Sequence, residues 1–210
     1  MKKVIIIALM ACLVFGAAFA DGLKVGGQAG YGSFLAGFVD EDDPASYLMT
    51  SQNGFYGAAS LEFDATEALG LKAEFGVLAP SKAYMTVRNG KDDKPETEEM
   101  PDGTVDFKPI FNGYLGLQFN AELAKTLSFT VGAGLDLFFA GEGDDFNLGI
   151  GAGAEAIASF NVSDSLSLNV GGKFGYYFFN TNEDFKESPY PGTKIVTFGW
   201  KAFAGATINL

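Results

Sequence analysis

Residues Leu127 to Phe139 read LSFTVGAGLDLFF, and every second position is apolar: Leu127, Phe129, Val131, Ala133, Leu135, Leu137 and Phe139. Between them stand Ser128, Thr130, Gly132, Gly134 and Asp136. A β-strand sends successive side chains to opposite faces, whereas a helix would scatter this alternation around its circumference. The stretch therefore predicts a long strand with one oily face and one polar, glycine-rich face. It exceeds the ~9–11 residues that a tilted strand needs to cross a bilayer.

The same pattern recurs along the chain. Residues 23–35 set Leu23, Val25, Ala29, Tyr31 and Leu35 against Lys24, Gly26, Gln28, Gly30 and Gly32. Residues 55–63, 69–77, 111–119, 146–160, 166–178 and 195–210 alternate likewise, which with 127–139 predicts eight strands. Their connectors fall into two kinds. Phe63-Asp64 to Leu69, Phe119-Asn120 to Leu127 and Phe160-Asn161 to Leu166 are quick turns that each start on Phe-Asp or Phe-Asn and resume on Leu. The intervening connectors, 39–53, 80–106, 140–145 and 180–193, are all acidic and mostly long. Within 80–106, Asn89-Gly90 and Pro101-Asp102-Gly103 are turn signals, so the flanking strands are expected to continue as a hairpin beyond the membrane. Pro109 has no N–H to give to a ladder and marks a bulge or the upper limit of regular pairing. Short turns at one rim and longer loops at the other is the asymmetry of an outer-membrane barrel, with the short turns periplasmic.

Alternation does not say which face is outside. A secreted soluble barrel of lipocalin type would hold the oily parity inside. An eight-stranded barrel, however, has an interior just wide enough for side chains or one small ligand. A parity this rich in Phe, Leu, Ile and Trp overfills it, while the glycine-rich parity suits a crowded axis. The expected fold is an all-β, eight-stranded antiparallel transmembrane β-barrel over 21–210, with its oily parity in lipid and no unpaired edge.

The first twenty residues read as a secretory signal: basic Lys2-Lys3, an apolar run from Val4 to Phe15, and Ala18-Phe19-Ala20 as the small-x-small cleavage site. Cys12 follows Leu9-Met10-Ala11 in the manner of a lipid-acylation site, but 13–20 stay apolar where a polar tether is expected. Signal, strand number and connector alternation resemble the small outer-membrane barrels of didermic bacteria, the OmpA, OmpX and OmpW-like group. The resemblance rests on architecture across 21–210. It implies a location in the cell outer membrane, a monomer, and, for the OmpW-like members, passage of small apolar solutes. In that group the last strand ends on an aromatic residue; here Ala204, Ala206 and Ile208 keep the alternation but the terminal residue is Leu210.

Charge and composition then exclude several functions. The formal charge is −12 and Arg88 is the lone arginine, so no basic surface awaits nucleic acid. The chain has no histidine, and its single cysteine lies in the signal. Nucleophile–His pairs, thiolate nucleophiles and His-ligated metals are therefore out of reach, and only carboxylate-pair chemistry of the glycosidase kind remains open. The expectation is a protein that is not an enzyme and needs no cofactor or metal. A Ca²⁺ bridge by Asp40, Glu41, Asp42 and Asp43 would be the exception, but their spacing matches no known calcium loop.

The polar parity carries the candidate site: Lys24, Lys72, Lys173 and Lys201 with Glu62, Glu74, Asp136 and Glu155, four of each sign. As lumen-lining groups they either pair across neighbouring strands and stabilise the barrel, or line a thin aqueous path and make it selective. Lys72 and Glu74 lie two apart on one strand, and Glu62 is placed to meet Lys72 across the turn. The leading expectation is a narrow channel or uptake protein for small solutes. The alternative is a non-conducting structural or surface-interaction barrel that works through loops 39–53, 80–106 and 180–193, where a host or other surface partner would dock. A soluble ligand carrier is the third.

Overall fold

The alternating segments form one antiparallel sheet closed on itself. The computed structural model describes residues 22–101, 103–141, 147–180 and 193–210. Its strands are β1 (Leu23–Asp40), β2 (Tyr47–Asp64), β3 (Leu69–Arg88), β4 (Glu96–Glu99), β5 (Ile110–Ala124), β6 (Leu127–Ala140), β7 (Asn147–Ser163), β8 (Leu166–Asn180) and β9 (Thr193–Asn209). Each pairs with the next around the ring, β9 closes on β1, and β3 passes directly to β5. β4 stands outside this circuit: it joins the edge of β3 along Tyr84–Val87, above the point where β5 has ended. Eight strands therefore make the barrel. Closure matters because an open edge in hydrocarbon would leave a row of N–H and C=O groups without partners.

Register fixes the geometry. Stepping from Lys24 through Glu62, Lys72, Gly116, Gly134, Gly153, Gly175 and Gly199 returns to β1 at Phe34, ten residues along. With ~3.3 Å per residue and ~4.8 Å between strands, that stagger tilts eight strands by about 40° to the axis.

The orientation follows from exposure. Phe55 is 73 % exposed, and Leu117, Val131, Phe174 and Ile208 also face outward, while the alternate residues are buried. On β8 the outward apolar run from Leu168 to Phe178 covers about 25 Å of axis at that tilt, the height of the apolar band of outer-membrane barrels. Phe119, Phe129 and Phe160 stand exposed towards the short-turn rim and Phe178 towards the other, while Trp200, paired with Phe174, lies nearer the middle of the band. The soluble-carrier alternative falls here, since it needs this oily set inside.

Several strands outrun the apolar pattern. β1 reaches Asp40 and β2 starts at Tyr47, so most of the stretch expected as loop 39–53 is paired strand. Likewise β3 continues to Arg88 opposite Tyr47. Ladder hydrogen bonds do not need oily side chains once the sheet has left the membrane, so hydropathy marks the membrane boundary and not the strand end. Gly90 and Gly103 adopt φ of +93° and +82°, in line with the two turn signals, and β5 begins directly after Pro109. At the opposite rim two of the three turns are only two residues long, Lys125-Thr126 and Asp164-Ser165. Each is accompanied by a register shift, at Glu122/Ala124 and Asn161/Ser163, the bulge that lets a tight turn match strand twist. The expected signal (1–20) and most of 140–145 and 180–193 lie outside the described residues.

Candidate functional site: the barrel lumen

All eight charged candidates lie on the inner face, because each occupies the parity opposite the lipid-facing residues of its strand. Lys24 and Glu62 line a cavity at the short-turn end, whereas Lys72, Glu74, Asp136, Glu155, Lys173 and Lys201 are buried at mid-height. From the short-turn rim upward the lumen has three levels.

The first is an open cup of about 470 Å³ whose wall is almost wholly polar, including Gln118, Asn120, Thr130, Asn169 and Thr207. Lys24 binds Asp64 there at 2.7 Å. Asp64 also accepts from Asn120 Nδ2 at 3.3 Å, and Thr130 donates to Asn120 Oδ1 at 2.8 Å.

The second level is a buried ionic layer. Lys72, 1 % exposed, reaches Glu155 at 3.0 Å, Glu74 at 3.1 Å and, more distantly, Glu62 at 3.8 Å. Lys173 binds Glu74 and lies 3.7 Å from Glu155. These contacts join β3 to β7 and β8, strands on opposite sides of the ring, so the layer braces the full width of the barrel. Neutral partners complete it: Tyr56 donates to Glu74 at 2.6 Å, Gln28 to Glu74 at 2.9 Å, and Gln118 to Glu155 at 3.0 Å. The Lys173 ammonium also sits 3.9 Å from the centroid of the Tyr114 ring, and Lys201 lies 5.0 Å from that of Tyr56. Burying ions this way costs several kcal/mol each unless every charge is met, and carboxylates that accept two or three donors meet that condition.

Asp136 and Lys201 join this layer less closely. Neither makes an ion pair with the other, and the Asp136 carboxylate lies by the Tyr177 hydroxyl without a hydrogen bond of ordinary geometry to either of its oxygens. Glycine makes the space for Asp136, since a Cβ on Gly153 or Gly175 would press on its carboxylate.

The third level is apolar. Phe138, Leu78, Ile110, Tyr56 and Tyr177 form a buried cluster, with Phe34 packed against it. Phe138 meets Phe34 and Tyr177 edge-on at centroid distances of 4.7 and 4.8 Å. A Cβ at Gly149 would run into the Phe138 ring, so that glycine gives the plug its room. These aromatic and aliphatic plug residues, with Gln28 and Gln118, fill and satisfy the lumen at positions that a search for charges passes over. Parity was the available signal: Phe34, Tyr56, Leu78, Tyr114, Phe138 and Tyr177 all fall on the polar side of their strands.

Above the plug, outside the apolar band, the sheet continues as a folded protrusion. Arg88 donates to the carbonyls of Gly90 (3.0 Å), Lys91 (2.6 Å) and Asp93 (3.1 Å), which organises the turn after β3. Lys82 hydrogen-bonds Glu99 across to β4 at 2.9 Å, and that contact raises the Lys82 ammonium pKa. At the β1–β2 turn, Asp40 accepts from the Asp42 and Asp43 N–H groups, and Asp43 accepts from Ala45 N–H and the Ser46 hydroxyl. Those carboxylates are occupied in holding their own turn. Among the described residues no group of three or more carboxylates is arranged for a metal, so the calcium alternative gains no support.

No protein-family model and no curated protein matches the chain. Solved structures do match. Neisserial surface protein A, NspA, superposes with a TM-score of 0.54 at 16 % identity, over 90 % of this chain and 97 % of that one. The outer membrane protease OmpT of Escherichia coli gives 0.49 at 10 % identity, covering 91 % and 98 %. The outer membrane protein OprG of Pseudomonas aeruginosa gives 0.47 at 8 % identity, covering 90 % and 96 %. The chain has the fold of the small outer-membrane β-barrels.

Proposed function

We propose that this protein is a non-conducting outer-membrane barrel that presents a folded, acidic surface above the membrane to a basic partner. The observation that carries this reading is the filled lumen. Three lysines, three carboxylates and five aromatic or aliphatic side chains occupy its middle, each no more than 7 % exposed. A narrow channel or uptake barrel would need the braced ionic layer and the aromatic plug to leave together. The protrusion, in contrast, is already ordered. Glu96, Glu98 and Glu99 of β4 are exposed, and the connectors 39–53, 80–106, 140–145 and 180–193 each carry more Asp and Glu than Lys and Arg. Such a field attracts cationic surfaces and speeds their encounter. We take the protein to act as a monomer in outer-membrane lipid. With no histidine, and no cysteine beyond residue 12, we assign it no catalytic role.

Planar-bilayer recording tests this reading. Purified, folded protein is expected to give no discrete conductance steps. Reproducible unitary steps that vanish in a Phe138→Trp variant would restore the channel.

A further inference from the structure

We infer that the outer wall at the base of the protrusion, from Ser33 up to Lys82 and Glu99, is a binding site for one membrane lipid with a phosphoethanolamine headgroup. The site faces lipid, not the space above the membrane, and does not depend on the role proposed for the protrusion.

Register puts these residues at the membrane boundary. Phe174, Trp200, Ser33, Asn53 and Lys82 stand opposite one another across β8, β9, β1, β2 and β3. At a tilt of about 40°, each step along this row climbs ~3 Å towards the long-loop rim. Lys82 is therefore ~12 Å above Phe174, whereas Phe178, the top of the outward apolar run on β8, is ~10 Å above it. Ser33 lies ~6 Å below Lys82, an interval that matches the ~5–8 Å depth of the headgroup and interfacial zone on each side of a bilayer.

The chemistry of the row selects the headgroup. Ser33 has outward parity, because Gly32 beside it faces Lys201 and Phe34 packs on the plug. It is 3 % exposed, and its hydroxyl meets no hydrogen-bond partner among the described residues. Along β1 it stands between the outward Tyr31 and Leu35, so a hydroxyl at this depth is suited to donate to an ester carbonyl of a lipid. Above it, Lys82 and Glu99 form an ion pair at 2.9 Å, and both side chains are half exposed. An open cation beside an open anion is complementary to a headgroup that is itself a zwitterion, with its phosphate on Lys82 and its ammonium on Glu99. A primary ammonium brings three N–H donors to that carboxylate, which the quaternary nitrogen of choline cannot do. A purely anionic headgroup would instead be repelled by Glu99 and by the exposed Glu96 and Glu98 above it. Trp200, Tyr31 and Phe55 frame the lower side, with the Tyr31 and Phe55 rings edge-on at 6.2 Å. Tyr and Trp at this level are the usual companions of lipid headgroups.

Trp200, the single tryptophan, pairs with Ser33, so its quenching reports on lipid at the site. The full-length folded barrel is placed in phosphatidylcholine vesicles that contain a minor share of one lipid with brominated acyl chains. Brominated phosphatidylethanolamine is expected to quench Trp200 with an apparent affinity about threefold or more above that of brominated phosphatidylcholine. Brominated phosphatidylglycerol should show no such advantage. Lys82→Gln and Glu99→Gln alter exposed side chains outside the lumen, and each should bring the ratio towards one. Ser33→Ala should lower it, whereas Glu98→Gln, on the other face of β4, should leave it unchanged. Equal quenching by the three lipids, an advantage for phosphatidylglycerol, or a full preference retained in Lys82→Gln, Glu99→Gln or Ser33→Ala would each overturn the proposal.

Discussion

Replacing Glu74 with alanine is expected to cost the folded barrel about 3–5 kcal/mol, read from urea unfolding in lipid vesicles. Glu74 is the acceptor around which the ionic layer is built: Lys72, Lys173, Tyr56 and Gln28 all converge on its two oxygens. Truncation leaves Lys173 with a single carboxylate at 3.7 Å and removes the nearest carboxylate from the hydroxyl of Tyr56. The cost is thus the exposure of an unmatched buried cation, not the value of one contact. The double variant Glu74→Met, Lys173→Met removes one charge of each sign and leaves Lys72 with Glu155 at 3.0 Å. It should recover at least half of the loss. A Glu74→Ala barrel that loses under about 1 kcal/mol would show that the layer is not what braces the lumen.

Placing a charge on the other face should be nearly as damaging for the opposite reason. Leu117 lies midway along β5, 56 % exposed, opposite Leu71 on β3 and Ala133 on β6. If that surface meets hydrocarbon, Leu117→Arg carries a guanidinium into the middle of the bilayer and should destabilise the barrel by ~2–4 kcal/mol. The same substitution at Leu123, beyond the belt near the short-turn rim and 66 % exposed, should cost roughly 0–1 kcal/mol because the charge reaches the interface. Depth dependence separates the effect from a general intolerance of arginine. Equal, small losses at both positions would mean that water, not lipid, covers the belt.

The two faces differ in how far sequence reveals them. Strand existence, parity and the eight-membered ring were legible because each is written in a period of two, and the membrane enforces that period over every spanning segment. The pairing of Glu62 with Lys72 was legible too, since a single turn separates their strands. The contacts that matter most were not. Lys72 to Glu155 and Lys173 to Glu74 cross the lumen between strands far apart in the chain, and only the stagger of the closed ring brings them level. The aromatic plug was hidden for a different reason. Phe138 sits beside the lipid-facing Phe139, so apolar character alone does not show which of the two turns inward. Hydropathy does not mark the strand ends of β1 and β2, which rise past the membrane where apolar character falls and backbone pairing continues, whereas the continuation of β3 into a hairpin is written in the turn signals of 80–106.

The chain carries one tryptophan, Trp200, which lies on the outer face of β9 and is 40 % exposed. Its fluorescence tests the orientation of the whole barrel in the unmodified protein. In vesicles whose acyl chains are brominated, Trp200 is expected to emit at short wavelength and to be strongly quenched, while aqueous acrylamide leaves it nearly unaffected. Strong quenching by acrylamide with no response to the brominated chains would put the oily parity away from lipid and contradict the account.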